Sequence, residues 1–216
     1  MKTYDFAYGR GRKEFSIDES LVIKEVRTEE FTPMSDIKQG VLDAIYNPIG
    51  CEPIDKIIKP GDTVAFICND PTRVANSYDF MPVLVNEFNK LGVKDEDMHI
   101  VFSLGTHRDM THEEMVEAVG EEVSSRLKMY NSTKDEDFEY FGTTSRGTPV
   151  WINKHLCHVD HVILTGTIVH HYFSGYGGGR KAILPGCAAM ETVRVNHSFM
   201  LDKNAGLGRT VGNPCY

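Results

Sequence analysis

Residues 63–73 read Thr-Val-Ala-Phe-Ile-Cys-Asn-Asp-Pro-Thr-Arg. The first six form an apolar run of strand length and the next five are polar, a pattern that predicts a buried strand followed by its C-terminal loop. The pattern recurs twice, in residues 99–104 before the loop 105–111, and in residues 159–169 before His170 and His171. Three such strands predict an α/β fold with a largely parallel sheet and helices on both faces.

Helical stretches separate the predicted strands. Residues 37–46 carry apolar side chains at helical spacing, and residues 82–91 predict a second helix. A third helix is expected over residues 113–119, because Thr111 and Glu114 match the capping-box pattern. This alternation supports the α/β assignment.

Two further segments have the pattern of β-hairpins. Short alternating runs flank Gly9-Arg-Gly11 and predict an N-terminal hairpin, and residues 140–152 predict another around Gly147. We find no internal repeat or low-complexity tract. We therefore expect residues 1–216 to form a single α/β domain.

Composition narrows the class of partner. The 216-residue chain has a formal net charge of -8 and shows no basic face, which argues against a nucleic-acid partner and favours a small molecule. No segment approaches the roughly 20 apolar residues that span a bilayer, and the N-terminus lacks the apolar core of a secretory signal. The five cysteines include no C-x-x-C pair, so we expect reduced thiols in a cytoplasmic protein without a membrane partner.

Polar side chains follow each predicted strand. In open α/β sheets, ligands bind beyond the carboxyl ends of the strands, where Asp70 and Arg73, then His107, then His171 and Lys181 all fall. Imidazole has an unperturbed pKa of about 6.5, so two histidines on converging loops can form an acid/base site. The alternative is that each histidine is merely packed or hydrogen-bonded, although the recurrence of polar loops after three strands favours function.

The glycine-rich turn Gly175-Tyr-Gly-Gly-Gly179 follows the third strand directly. Glycine lets backbone N–H groups approach a ligand, so the turn can act as an anion cradle with Lys181 at its mouth, or it can be only a flexible turn. It matches neither the Walker A nor the dinucleotide-binding spacing.

A separate His/Cys cluster comprises His155, Cys157, His158 and His161. Its spacing is not that of a zinc site, and in the segment that leads into a strand its side chains would alternate between opposite sides. We therefore do not expect this cluster to bind metal.

Seven blocks, taken in order, resemble the lactate racemase family, whose members are nickel-pincer nucleotide-dependent 2-hydroxyacid racemases and epimerases. Any single block is weak evidence for the family, but the order and spacing of the blocks match those of the family from about residue 40 onward. The matching blocks are Asp70-Pro-Thr-Arg73, Gly105-Thr-His-Arg108 with Thr111-His-Glu-Glu114, Gly147-Thr-Pro-Val150, His171-Tyr-Phe-Ser-Gly175, Gly178-Gly-Arg-Lys181, Leu184-Pro-Gly186 and Asn196-His197.

The resemblance implies specific roles. It makes His107 and His171 the catalytic acid/base pair, His197 the protein ligand to nickel, and Arg73 the partner of the substrate carboxylate. Lys181 would tether the cofactor, a nickel complex of pyridinium-3-thioamide-5-thiocarboxylic acid mononucleotide. The other residues expected to contact the cofactor are Asp70, Ser174, Gly175, Gly177, Gly178 and Gly179, with Asp70 also orienting the site.

The resemblance also implies partners and a longer enzyme. The substrate would be a 2-hydroxy acid, racemised by proton-coupled hydride transfer, and the cofactor would come from dedicated synthesis proteins. Family members usually carry serine where Gly177 stands, and they continue for roughly another domain. We therefore expect residues 1–216 to be the N-terminal portion of a longer enzyme and to be inactive alone.

Two other functions remain open from the sequence. The chain could be a mononucleotide-binding module without turnover, with the glycine turn and Lys181 holding phosphate. It could also be a zinc-dependent hydrolase with His107, His171 and His197 as ligands and an open water position. A tethering lysine has no role in such a zinc site, which weighs against the hydrolase.

Overall fold

A computed structural model describes residues 1–27, 29, 32–133 and 137–216. The backbone divides into two compact units, residues 1–35 and 36–216. The described strands are β1 (Lys2–Tyr8), β2 (Gly11–Ile17), β3 (Val64–Asn69), β4 (Met98–Ser103), β5 (Lys128–Asn131), β6 (Phe138–Thr143), β7 (Pro149–Asn153), β8 (His161–Leu164), β9 (His170–His171), β10 (Ser174–Tyr176) and β11 (Gly206–Leu207). The described α-helices are α1 (Ile37–Tyr46), α2 (Ile54–Ile57), α3 (Ser77–Lys90), α4 (His112–Val119), α5 (Glu121–Ser124) and α6 (Met190–Ser198).

The first unit is built on the predicted N-terminal hairpin. Strands β1 and β2 pair antiparallel from Lys2 opposite Ile17 to Tyr8 opposite Gly11. Gly9 occupies the left-handed region at φ 59°, which a tight turn favours and which glycine adopts without steric cost. The hairpin prediction is confirmed.

The second unit is organised around a four-stranded sheet in the order β5-β4-β3-β8. All three pairings are parallel. Along the central strand β3, Phe66 and Cys68 face one core, whereas Ala65 and Ile67 face the other. Burial on both faces explains why this strand reads as an unbroken apolar run. The α/β prediction with a largely parallel sheet is confirmed.

Helices and 3-10 turns cover the two faces. The first core receives Met81, Val85 and Phe88 from α3, and the Phe88 ring meets Phe66 edge-on at a centroid distance of 5.2 Å. The second core receives Leu156 and Ala182 from two 3-10 helices, Lys154–Leu156 and Gly179–Ala182. The latter turn lies on the sheet and carries Lys181, so core packing fixes the position of that lysine.

The capping box of α4 is as the sequence predicts, but two boundaries differ and one strand was not predicted. Asp36 caps α1, and Thr111 with Glu114 forms the capping box of α4. Helix α3 begins at Ser77 rather than residue 82, because tertiary packing keeps Pro82 inside the helix. Strand β5 was not predicted, since an edge strand of mixed polarity has no apolar run. The predicted strand 159–169 is too long, as β8 ends at Leu164 before the turn.

None of the helices in the described ranges is long and apolar enough to cross a bilayer.

Candidate active site

The loop after β3 places a buried carboxylate at the carboxyl end of the sheet. Asp70 is 3% exposed. Its Oδ1 accepts hydrogen bonds from the backbone N and the Oγ1 of Thr72, at 3.1 Å and 2.7 Å. The guanidinium of Arg73 donates to Thr72 Oγ1 at 3.2 Å. A buried carboxylate is costly without such donors, so the loop conformation is built around Asp70.

His107, in the loop after β4, contacts this carboxylate directly. Its Nδ1 is hydrogen-bonded to Asp70 Oδ2 and lies 3.4 Å from Thr72 Oγ1. The imidazole side chain is 39% exposed, so the ring reaches from a buried partner towards solvent. Arg108 points elsewhere, pairing with Glu114 of α4 at 2.6 Å. The two loops therefore converge as predicted, with His107 rather than Arg108 turned to the site.

His171 lies on β9 between two aromatic rings. Its ring stacks on Tyr172 at 4.8 Å and meets Phe173 edge-on at 4.6 Å. Its Nδ1 accepts a hydrogen bond from the backbone N–H of Ser174 at 3.2 Å. The pKa of His171 is lowered to about 4, mainly by burial and next by the positive charge of Lys181. The ring is therefore uncharged near neutral pH.

Lys181 and His197 complete the cluster. Burial, with a further effect from the nearby charge of Arg73, lowers the pKa of Lys181 to about 8. Burial and then the charge of Lys181 lower the pKa of His197. The charge effects link Lys181 to Arg73, His171 and His197, so these four side chains lie near one another. His197 comes from α6, and its ring meets Phe173 edge-on at 5.0 Å.

One nitrogen of His197 lacks a hydrogen bond of normal geometry, although the backbone of Val193 is near enough to the ring to raise its pKa slightly against the effect of burial. Its Nδ1 is buried and has no hydrogen-bond partner among the described residues. Buried polar atoms of this kind are rare in native structures and call for an explanation, such as an ion or a water molecule. An imidazole with unused capacity is a suitable metal ligand.

The glycine turn is shaped first by packing. A Cβ at Gly175 would collide with the carbonyl oxygen of Arg209, and one at Gly178 would lie 2.7 Å from that of Thr167. The N–H of Gly177 donates to Val169 at 2.7 Å. Gly179, at φ 52°, has open space where its Cβ would be. Ser174, at the start of β10, is 2% exposed.

Two backbone donors of the turn are free to meet a ligand. The N–H groups of Gly178 and Gly179 have no backbone acceptor among the described residues. They precede Lys181 in the same turn. The anion-cradle interpretation therefore rests on these two positions, while Gly175 and Gly177 have structural roles.

An open cleft of about 290 Å³ adjoins the site. Asp70 and Arg73 line it together with the start of α3 and residues of α4, but none of the three site histidines does. The candidate site is therefore defined by the hydrogen bonds that join Asp70, Thr72, Arg73 and His107, and by the charge effects that link Arg73, Lys181 and His171.

The second group of histidines has ordinary partners. His155 stacks on Tyr130 at 3.8 Å, and His158 and His161 pair with Glu139 and Asp62, both at 2.8 Å. Cys157 Sγ donates to the carbonyl oxygen of Asn153 at 3.3 Å. Across residues 1–27, 29, 32–133 and 137–216, no three His, Cys, Asp or Glu side chains are placed to share a metal ion. The arrangement therefore gives no support to a zinc site made of His107, His171 and His197.

Comparison with known proteins decides the family. The family model described as the lactate racemase N-terminal domain matches residues 8–208. The chain belongs to the lactate racemase family. Among curated relatives, the lactate racemase of Lactiplantibacillus plantarum is 31% identical over 180 residues, covering 82% of this chain and 42% of the relative. The lactate racemase of Thermoanaerobacterium thermosaccharolyticum is 28% identical over 222 residues, covering 100% of this chain and 52% of the relative.

Solved structures agree with this assignment. The lactate racemase apoprotein from T. thermosaccharolyticum matches with a TM-score of 0.83 and 27% identity, covering 99% of this chain and 51% of that one. A Thermotoga maritima protein matches with a TM-score of 0.65 and 23% identity, covering 83% of this chain and 44% of that one. This match shows only that the two proteins share a fold. The chain spans about half the length of the curated relatives it matches.

Two residues that contact the site in this lactate racemase family member were given no role by sequence reasoning. Thr72 joins Asp70, Arg73 and His107, and its spacing from Asp70 is that of an Asx turn, which a closer look at the loop could have found. Phe173 contacts the rings of both His171 and His197 edge-on. No sequence signal identifies Phe173, because its contact with α6 depends on tertiary packing.

Proposed function

We propose that the chain is the N-terminal domain of a racemase or epimerase of a 2-hydroxy acid, an isomerase that works with the nickel-pincer nucleotide. The observation that carries this proposal is the gathering of His107, His171, Arg73, Lys181 and His197 at one end of a parallel sheet. The names of the two curated relatives support the reaction class. When bound, the cofactor supplies an electron-poor pyridinium ring able to take up hydride.

The side chains present fit this cofactor. With a pKa of about 8, Lys181 is a neutral amine in about one molecule in ten at neutral pH. The neutral amine is the form that would attack a thiocarboxyl carbon of the cofactor and, with loss of water, give the thioamide tether. His197 would provide the protein's nitrogen donor to nickel. The free N–H groups of Gly178 and Gly179 would meet the phosphate. The two glycine N–H groups have no backbone acceptor among the described residues, and His197 Nδ1 has no hydrogen-bond partner of normal geometry there.

The acid/base work falls to the two site histidines. The C2–H bond of a 2-hydroxy acid is too weakly acidic for imidazole to remove its proton, so the histidines act on the hydroxyl group. His107 accepts the hydroxyl proton, and the resulting imidazolium is stabilised by Asp70. His171 serves the opposite face of the substrate. Arg73 can bind the carboxylate of the acid with its planar guanidinium.

The proposal includes its partners and place of action. The substrate is a small 2-hydroxy acid, the cofactor is delivered by cofactor-synthesis proteins, and the setting is the cytoplasm. The net charge of -8 supports a small-molecule ligand over a nucleic acid.

The intact mass of the chain tests the proposal. When the chain is made in cells that synthesise the nickel-pincer nucleotide, we expect a covalent adduct with the mass of the free cofactor less one water molecule, which is released as the thioamide forms. Lys181→Arg should abolish the adduct, and the matched change Lys59→Arg, at an exposed lysine, should leave it. An adduct that persists in Lys181→Arg, or a wild-type chain that carries none, would contradict the proposal. Zinc recovered in place of nickel would favour a hydrolase.

A further inference from the structure

The hydrogen bonds around His107 determine which ring nitrogen carries its proton. A carboxylate can only accept, so the bond between Asp70 Oδ2 and His107 Nδ1 places a hydrogen on Nδ1. Thr72 agrees with this direction, because its hydroxyl hydrogen is already donated to Asp70 Oδ1 at 2.7 Å. At 3.4 Å from His107 Nδ1, the Thr72 oxygen can then only accept. The neutral ring is therefore protonated on Nδ1 and has a lone pair on Nε2.

The hydrogen bond at His171 has the opposite direction. A backbone N–H can only donate, so the 3.2 Å bond from Ser174 N makes His171 Nδ1 an acceptor. Nδ1 then carries the lone pair, and the proton of the neutral ring sits on Nε2. The donor is the main-chain N–H of Ser174, at the start of β10, and β10 pairs with both β9 and β11. This donor is held by the sheet and is not free to rotate away.

We propose that the two histidines are held as opposite tautomers, His107 with Nδ1–H and His171 with Nε2–H, by Asp70 and the Ser174 amide as positioning groups. The tautomers follow from the contacts alone, and their consequence for the reaction rests on the proposed function. A hydroxyl group facing His107 finds a proton acceptor at Nε2, whereas one facing His171 finds a hydrogen-bond donor.

The asymmetry means that His171 cannot accept a proton at Nε2 until its own proton moves. That exchange requires loss of the bond from the Ser174 amide. A hydrogen bond of this kind contributes a factor of roughly 2 to 10 to an equilibrium. We therefore expect the Nδ1–H form of His171 to be the minor tautomer by about that factor.

Nuclear magnetic resonance of the chain labelled with ¹⁵N in histidine measures both tautomers directly. Long-range ¹H–¹⁵N correlations near neutral pH should show an unprotonated Nε2 in His107 and an unprotonated Nδ1 in His171, assigned with His107→Gln and His171→Gln. The same tautomer in both rings, or the reverse assignment, would overturn the proposal. The wild-type spectrum decides this without any variant having to fold.

Asp70→Asn supplies the sharper test. The two donors of Thr72 hold Oδ1 of residue 70, so an amide there would direct its NH₂ group at His107 Nδ1. The His107 ring must then accept at Nδ1, and its proton should move to Nε2 while His171 stays unchanged. The matched change Asp79→Asn, at an exposed acid on α3, should move neither ring. A His107 tautomer that is unaltered in folded Asp70→Asn would contradict the positioning role of Asp70.

The tautomer measurement and the adduct measurement test different claims, so either one can fail without the other. The tautomers are read in the chain without cofactor, and the adduct at Lys181 is read by mass without reference to ring protons. A missing adduct with opposite tautomers would refute the cofactor while leaving the positioning groups in place.

Discussion

Lys181→Met should raise the free energy of unfolding at neutral pH. The ammonium group is partly buried, the charge of Arg73 acts on it, and no carboxylate in the described ranges offsets the loss of water. Methionine keeps a similar flexible, apolar stem and removes the charge. A side chain that opposes folding where it stands is expected at a functional site, where reactivity is gained at the expense of stability.

The size of the effect follows from the pKa values. The pKa of the lysine falls from 10.5 in the unfolded chain to about 8 in the folded one. Since one pKa unit corresponds to about 1.4 kcal/mol, the penalty at neutral pH is at most about 3 kcal/mol, and solvent screening reduces it to about 2 kcal/mol.

The penalty has a defined pH dependence. The folded pKa lies below the unfolded pKa, so the folded chain releases the proton first as pH rises. The destabilisation is therefore fully present below a pH of about 8 and disappears as pH rises towards 10.5. The advantage of Lys181→Met over the wild type should fall to less than half between about pH 7 and about pH 9.5.

Urea unfolding of three chains measures this. Wild type and Lys181→Met are compared at both pH values with Lys59→Met, which removes an exposed lysine and corrects for the change in net charge. Lys59→Met should change the free energy of unfolding by less than about 0.5 kcal/mol. The reasoning would be refuted if Lys181→Met were no more stable than wild type, or if its gain were the same at both pH values.

Two further predictions concern the metal and the turn. In the cofactor-loaded enzyme, His197→Ala should lose nickel, whereas His107→Ala should keep nickel and lose racemisation by roughly 10²–10⁴-fold, as metal analysis and initial rates would show. The opposite pattern would mean that the ligand and the base are exchanged. Gly175→Ala should destabilise the chain by more than Gly179→Ala in urea unfolding, because a Cβ would collide with backbone at Gly175 and would meet open space at Gly179. Equal losses would show that backbone strain alone sets the cost.

Much of the local structure could be predicted from neighbouring residues. Helix α1 and the capping box of α4 depend on contacts within a single turn, so their boundaries follow from spacing. The buried strands β3 and β4 are apolar because both faces of the sheet are covered, and that composition is visible in the sequence. The edge strand β5 and the start of α3 were missed, since packing overrides a weak local signal there.

In the candidate site, too, some features follow from the sequence and others depend on tertiary packing. Sequence placed Asp70, His107 and His171 at the carboxyl ends of strands, because parallel strands bring those ends to one edge. The resemblance also assigned His197 to the site, but its position on α6, where its ring contacts Phe173 as the ring of His171 does, depends on the tertiary structure.

The sequence by itself determined the fold class and the family resemblance, and it predicted site residues at the carboxyl edge of the sheet. The tertiary structure alone decided their chemical state. The lowered pKa values of Lys181 and His171 arise from burial and from charges distant in sequence. The opposite tautomers arise from one bond to a carboxylate 37 residues away and one bond to a main-chain amide. Protonation responds to distances in space, and sequence spacing fixes such distances only within a turn or a strand.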